Sequence, residues 1–286
     1  MTIEKIQDLT RLRECVAEWK RSGLRVAFVP TMGNLHAGHF SLVKIARESA
    51  DRVVASVFVN PTQFGPNEDF DRYPRTPDAD MAGLEAAGCD AVWMPEVDTM
   101  YPLGIERAVQ MRVPIITATL DGEHRPGHFD GVATVVSRLF NQVQPDVAVF
   151  GRKDYQQLAV IRAMVEDLAF PIEIIGGPTL REPNGLAMSS RNQYLSATER
   201  DTAAAIRRTL LQMEREATAA SDLARLQDNA VKLLATAGFD VDYAVLRNTD
   251  LTPIETLRAG QRVVGLVAAR LGKTRLIDNY EFTVAQ

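Results

Sequence analysis

A chain of 286 residues with 46% apolar and 24% charged residues has the composition of an ordinary soluble protein, with enough apolar material for one large core or two ordinary ones. Its formal charge of −5 and pI near 5.5 exclude a general attraction to nucleic acid or to an anionic membrane, so any anionic ligand must be held by local groups. No apolar run approaches the ~18 residues of a membrane span. The segment MTIEKIQDLTRLREC has charges where a signal peptide needs an apolar core, and Cys15 and Cys89 form neither a disulfide framework nor a CxxC metal pattern, so the chain reads as cytoplasmic.

Leu9, Leu12, Val16 and Trp19 recur at helical steps and predict a first helix that Gly23 ends. Short apolar, partly β-branched runs predict strands at 24–29, 53–59, 91–95, 147–150 and 172–175, with helical segments at 40–50, 78–87, 131–143 and 154–168. Strand and helix in alternation predict an α/β domain built on a parallel sheet, and ligands of such sheets sit outside the carboxyl ends of the strands. That rule selects the loops beginning at Pro30, Asn60, Gly151 and Gly176. After Leu180 the texture changes. The turn-rich REPNGLAMSSRNQYLS leads into helical stretches near 197–217 and 222–237, then VDYAVLR, QRVVGLVAARL and TRLIDNYEF, which read as strands of a smaller α+β unit.

The unusual residues gather at those loops. PTMGNLHAGH, residues 30–39, is a strand-to-helix junction with glycine in the turn, where backbone N–H groups can close around a phosphate. His36 and His39, three apart, share a face of the helix start and can donate to phosphate oxygens beside the amides of Gly38 and His39. A helix cap plus a surface histidine is the plainer account of the same residues. In NPTQFGPNEDFDRYPRTPDAD, Asn60 and Gln63 emerge at a strand end with neutral amides that orient a ligand without quenching its charge, or they form an ordinary Asn-Pro turn. Asp78 and Asp80 follow Pro77 and read either as helix-starting acids or as magnesium neighbours.

GEHRPGHFDG, residues 122–131, presents Arg125 and His128 on a glycine-flanked loop that could equally be a plain connection. Its HxxxH does not read as a zinc pair, because Pro126 and Gly127 argue against one helix offering both rings, and no metal ligands are assigned. In GRKDYQQL, Gly151 lets the chain turn closely, Lys153 supplies a mobile cation, Asp154 can cap the next helix and Gln157 lies one turn along it. MSSRN, residues 188–192, brings two hydroxyls and Arg191 in a mobile-looking segment suited to closing on a polyphosphate.

Taken in order, PTMGNLHAGH, FVNPTQF, YPRTPDAD, RPGHFDGV, GRKDYQQL, GLAMSSRNQYL and RLIDN resemble the pantothenate synthetase family of the nucleotidyltransferase superfamily, and the resemblance runs through nearly the whole chain. It implies a Rossmann-like nucleotide- and pantoate-binding domain over 1–180 and a smaller α+β C-terminal lid domain over 181–286. It further implies ATP-dependent condensation of (R)-pantoate with β-alanine through a pantoyl adenylate, with Mg²⁺, in a homodimer that takes neither nucleic acid nor membrane as partner. By the same resemblance Met32, Gly33, Asn34, Leu35, His36, Ala37, Gly38 and His39 bind ATP, His39 as a proton donor. Gly151, Arg152, Lys153, Asp154, Leu180, Met188, Ser189, Ser190 and Arg191 add nucleotide contacts, and His36, Lys153, Ser189, Ser190 and Arg191 join His39 as catalytic residues. Gln63, Gln157, Asn60 and Met32 meet pantoate, Gln63 also serving β-alanine, and Arg125 with His128 lines the second-substrate approach.

Two departures stand out. Arg152 replaces the acid expected in GEKD, facing solvent or altering nucleotide affinity, and Ala79 stands where some relatives carry an acid, which leaves open whether Asp78 or Asp80 approaches magnesium. The competing readings are a nucleotidyltransferase that stops after joining AMP to an acceptor and a nucleotide sensor without catalysis. A tRNA-binding role is disfavoured by the acidic balance.

Overall fold

A computed structural model describes residues 3–65 and 70–286; residues 66–69 of the loop that begins at Asn60 lie outside this range. Six strands form one sheet: β1 (Glu4–Ile6), β2 (Val26–Thr31), β3 (Arg52–Val57), β4 (Ala91–Trp93), β5 (Val147–Gly151) and β6 (Glu173–Gly177). Three more form a second sheet: β7 (Asp240–Asn248), β8 (Arg262–Leu271) and β9 (Thr274–Thr283). The helices are α1 (Leu9–Arg21), α2 (Ala37–Ser49), α3 (Pro77–Ala86), α4 (Val97–Met100), α5 (Asp121–His124), α6 (His128–Val143), α7 (Tyr155–Asp167), α8 (Ala197–Ala203), α9 (Ala205–Glu216) and α10 (Leu223–Thr236). None of the described helices is long and apolar enough to cross a membrane.

The first sheet has the order β1-β4-β3-β2-β5-β6 with every pair parallel, the Rossmann-like arrangement. From β2 the chain proceeds outward through β3 and β4 on one side and later through β5 and β6 on the other. The loops after β2 and β5 therefore part at the switch point, where such sheets receive ligands. Side-chain alternation explains the continuous apolar strands. In β2, Ala27 and Val29 join Val43, Ala46, Val53 and Leu84 on one face, while Phe28 meets the ring of Phe140 edge-on at 6.4 Å on the other. Helix α6 shows which effect wins when propensity and burial disagree. Val132, Val135, Val136 and Val143 are weak helix formers at roughly 0.5 kcal/mol each, yet all are buried, which contributes about 1.5–3 kcal/mol apiece.

By contacts the chain divides into two units, Met1–Arg152 with Val160–Pro178, and Lys153–Ala159 with Thr179–Gln286. The second contains the antiparallel sheet β7-β8-β9 and an apolar cluster built from α9, α10 and the strands, including Ile206, Leu210, Leu226, Leu234, Val263 and Phe282. Lys153–Ala159 belongs to it because Tyr155 Oη donates to the Thr249 carbonyl at 2.9 Å and Asn279 Nδ2 donates to the Lys153 carbonyl at 2.8 Å.

Several boundaries move from their expected places. Strand β1 was not anticipated, because three residues carry no period. Helix α6 starts at His128 rather than 131, which puts Gly131 inside a helix, and the stretch 197–217 is two helices parted at Ala204.

Candidate active site

The turn after β2 is shaped from beneath by a carboxylate. Gly33 has φ +81, and a Cβ there would stand 3.0 Å from both Asp80 Oδ2 and Val57 Cγ1, so the position needs glycine for conformation and for space. Asp80, on α3 and 2% exposed, accepts the Asn34 N–H at Oδ2 (2.9 Å) and the Leu35 N–H at Oδ1 (2.8 Å), while Thr76 Oγ1 donates to Oδ1 at 3.1 Å. Hydrogen bonds to a charged group are worth about 1.5–3 kcal/mol, so this residue can hold Asn34 at φ +51. Neither the helix-starting nor the magnesium reading anticipated this clamp. The first turn of α3 does hold Asp78 and Asp80, but the Asp80 carboxylate reaches away to the backbone of another loop.

His36 and His39 form a capping box. His36 is the N-cap of α2, its Nδ1 accepting from the Gly38 N–H at 3.1 Å, and His39 Nδ1 accepts from the His36 N–H at 3.3 Å. The rings lie 4.1 Å apart at 43°. Because each Nδ1 accepts, the neutral rings carry their protons on Nε2, and the pattern assigns both as Nε2–H donors. Cap and ligand donor are thus compatible roles of the same rings. The amides expected to help them are engaged within the turn: Gly38 N–H goes to His36 Nδ1 and His39 N–H to the His36 carbonyl at 2.8 Å. A four-residue turn this tight satisfies its own donors first.

After β3, Asn60 caps a single 3-10 turn, Pro61–Gln63, and both amide side chains are buried. Asn60 Nδ2 donates to Gln63 Oε1 at 3.1 Å and to the Gly131 carbonyl at 3.3 Å, while Gln63 Nε2 donates to Met32 Sδ at 2.8 Å. The β2 and β3 loops are therefore joined side chain to side chain. Helix α6 rests directly on this turn: a Cβ at Gly131 would lie 2.5 Å from the Thr62 carbonyl oxygen and 2.8 Å from Gln63 Cα. Two residues of the expected second-substrate set also hold the turn. Arg125 Nη1 lies 2.9 Å from His128 Nε2, and His128 Nδ1 lies 2.7 Å from the Gln63 carbonyl. A guanidinium can only donate, so Nε2 accepts and the Nδ1–H donates to Gln63.

The sequence reading missed Tyr101. Its hydroxyl donates to Asn60 Oδ1 at 2.6 Å and lies 3.1 Å from Thr62 Oγ1, and burial raises its pKa, which keeps it a donor. No motif surrounds it. A tyrosine flanked by Met100 and Pro102 carries no spacing from which its partner could be inferred.

At the end of β5, Gly151 pairs with Gly177, and Arg152 donates from its backbone to the Gly177 carbonyl at 2.8 Å and from Nε to the Gly176 carbonyl at 3.0 Å. An acid at 152 could not make the second bond, so here the departure from GEKD ties two strand ends together. In the second unit, Lys153 Nζ lies 3.3 Å from Asp154 Oδ1, and Gln157 sits half-buried in the first turn of α7. The strand carrying RLIDN supports this region: Asn279 holds the Lys153 carbonyl, and Asp278 takes Arg181 through two bonds of 2.7 and 3.0 Å.

Residues 180–192, of which 188–192 look mobile from sequence, are knitted by local bonds. The Met188 N–H donates to the carbonyl of the exposed Leu180 at 2.9 Å. Ser189 caps the 3-10 helix Ser190–Tyr194 by accepting the Arg191 N–H at 3.2 Å. The buried Asn192 donates to Glu182 Oε1 at 2.8 Å and to the Ala187 carbonyl at 3.0 Å. Among the described residues no group of three or more His, Cys, Asp or Glu side chains could hold a metal ion.

The chain has known relatives. A family-wide sequence profile described as pantoate-beta-alanine ligase matches residues 4–281. Pantothenate synthetase from Xanthomonas axonopodis pv. citri is 65% identical over 280 residues, covering 98% of this chain and 100% of that protein. The enzyme of that name from Xylella fastidiosa strain 9a5c is 65% identical over 283 residues, with the same coverage. Among solved structures, pantothenate synthetase from Thermus thermophilus superposes with a TM-score of 0.87 at 46% identity, covering 97% of this chain and 99% of that one. Pantoate-beta-alanine ligase from Francisella tularensis, complexed with beta-gamma ATP and beta-alanine, gives a TM-score of 0.79 at 32% identity, with 97% of each chain covered. A profile spanning nearly the whole sequence and relatives this similar over their full length leave one conclusion: the chain belongs to the pantoate-beta-alanine ligase family.

Proposed function

We propose that this chain condenses (R)-pantoate with β-alanine, converting ATP to AMP and pyrophosphate by way of a pantoyl adenylate. The observation that carries this reading is the joining of two unlike turns on neighbouring strands, one offering imidazole donors and the other neutral carboxamides, through the Gln63–Met32 contact. The first suits phosphoryl oxygens, and the second suits a carboxylate that must keep its charge to act as a nucleophile.

In the first step a pantoate carboxylate oxygen attacks the α-phosphorus and pyrophosphate departs; an ionised carboxylate needs no general base. His36 and His39 donate from Nε2 to oxygens that gain charge, His39 being the proton donor. Lys153, Ser189, Ser190 and Arg191 supply the further donors, and residues 32–39, 151–154, Leu180 and Met188 shape the nucleotide contacts. A well-aimed donor of this kind is worth roughly 2.7–4 kcal/mol. Asn60, Gln63, Gln157 and Met32 orient pantoate. In the second step the neutral amine of β-alanine attacks the acyl carbon, loses a proton and expels AMP, with Gln63, Arg125 and His128 lining its approach.

Mg²⁺ fits as an ion that arrives with the phosphates, since Asp80 already accepts three hydrogen bonds and such ions usually take one or two carboxylates plus phosphate oxygens. Bound there, it would neutralise charge on the departing pyrophosphate.

A homodimer is supported by Leu103, Val109 and Ile115, which expose 62%, 72% and 79% of their surface within thirteen residues. Sedimentation reads this directly. A cytoplasmic setting agrees with two buried, unpaired thiols.

The decisive experiment measures AMP release with ATP, pantoate and β-alanine supplied together and in pairs. Turnover only with all three is the expected result. Turnover without β-alanine would replace this reading with simple nucleotidyl transfer, and ATP binding without pyrophosphate release under any combination would replace it with a sensor. Lys153→Ala is expected to slow single-turnover adenylate formation more than tenfold.

A further inference from the structure

A carboxamide has one accepting and one donating end, and the two are opposite in their response to a carboxylate. Which end Gln63 shows is decided by its neighbours. Asn60 Oδ1 is surrounded by donors: the Thr62 N–H at 3.4 Å, Thr62 Oγ1 at 3.1 Å and Tyr101 Oη at 2.6 Å. Asn60 Nδ2 faces two acceptors, the Gly131 carbonyl at 3.3 Å and Gln63 Oε1 at 3.1 Å. Turning Asn60 over would set its oxygen against a fixed carbonyl. Gln63 Oε1 is thereby engaged inside the turn, and Nε2 lies on the opposite side, against the thioether of Met32. Sulfur is a weak acceptor, so an anionic oxygen can claim that amide NH2.

We propose that Tyr101 is a positioning residue that, through Asn60, fixes the Gln63 carboxamide with its NH2 toward the acidic substrate. Two of the three donors at Asn60 Oδ1 come from Thr62 in the same turn, and Tyr101 supplies the shortest bond from 41 residues away. Its ring is held independently of the hydroxyl: it is 2% exposed, and the Arg138 guanidinium lies 5.0 Å from its centroid with Nη1 donating to the Met100 carbonyl at 3.0 Å. Removing the oxygen therefore leaves the packing in place. The inference rests on the proposed role of Gln63 at pantoate.

The test compares wild type with Tyr101→Phe in steady state, with KM measured separately for pantoate, ATP and β-alanine, and thermal unfolding measured alongside. The expected result is a pantoate KM raised about five- to twentyfold with the ATP KM unchanged, a split that a general loosening would not give. Asn60→Asp provides a second reading should Tyr101→Phe not fold. A carboxylate at 60 turns the NH2 of Gln63 inward and its oxygen outward, and the pantoate KM should rise about a hundredfold. An unchanged pantoate KM in either folded variant, or an equal rise for ATP, overturns the assignment while leaving the condensation intact. A wild type that forms no AMP from the three substrates removes the function and this inference with it.

Discussion

The turns that follow β2 and β3 are neighbours on the same sheet, yet they are held by opposite means. The first is fixed by a charge: one buried carboxylate takes two backbone amides and holds both within its own fork. The second is fixed by neutral groups and by contact, with Asn60, Tyr101 and Thr62 bonded to one another and Gly131 admitting α6 against the backbone. The difference follows from what each turn is proposed to face. A turn that meets polyphosphate tolerates an anion beneath it once amides have absorbed its charge, whereas a turn that presents a carboxylate nucleophile gains from neutral direct supports, the Arg125 cation reaching it here through the His128 ring.

Substitutions at these supports test the contrast. Asp80→Ala strands the N–H groups of Asn34 and Leu35, each costing about 1–3 kcal/mol when buried and unmet, so a loss of about 3 kcal/mol in denaturant unfolding is expected. The same variant should raise the KM for ATP more than that for pantoate; the reverse order would place the carboxylate's influence on the wrong turn. Gly131→Ala pushes α6 off the Thr62 and Gln63 backbone. Overpacking of this kind costs about 1–3 kcal/mol, and displacing Gln63 by an ångström should lower kcat/KM for pantoate about a hundredfold. Wild-type kcat/KM in that variant would mean that the neutral turn is not held by contact.

The smallest effect is on alkaline stability. Burial raises the Tyr101 pKa above its ordinary value near 10, so the folded chain keeps the phenolic proton after the unfolded chain has lost it. Stability from this source is fully present below about pH 10 and falls as pH rises beyond it, by at most about 1.4 kcal/mol per pH unit. Tyr101→Phe should flatten that part of the curve. An identical slope in both proteins would show that the hydroxyl is not desolvated as described.

What the amino-acid order reveals about these turns divides along a physical line. The parallel sheet is legible because strands buried on both faces must be apolar along most of their length, as in β2, β3 and β5. His36, His39, Asn60 and Gln63 stand out because each lies within eight residues of the end of such a run. Their supports are invisible by the same logic. Asp80 meets its amides across 45 and 46 residues, Tyr101 meets Asn60 across 41, and Asn60 reaches the Gly131 carbonyl across 71, distances at which no local spacing carries information. Asp80 also satisfies an ordinary rule for helix starts, which conceals the less ordinary use of its carboxylate.

The bond from Asn279 to the Lys153 carbonyl closes a separation of 126 residues. A ribosome that has already released the lysine must add the strand bearing Asn279 before the Lys153 carbonyl acquires this partner, so one support of that loop is supplied by residues made long after it. A chain stopped before that strand would leave the Lys153 carbonyl without this bond, whatever part of the first sheet it had managed to assemble.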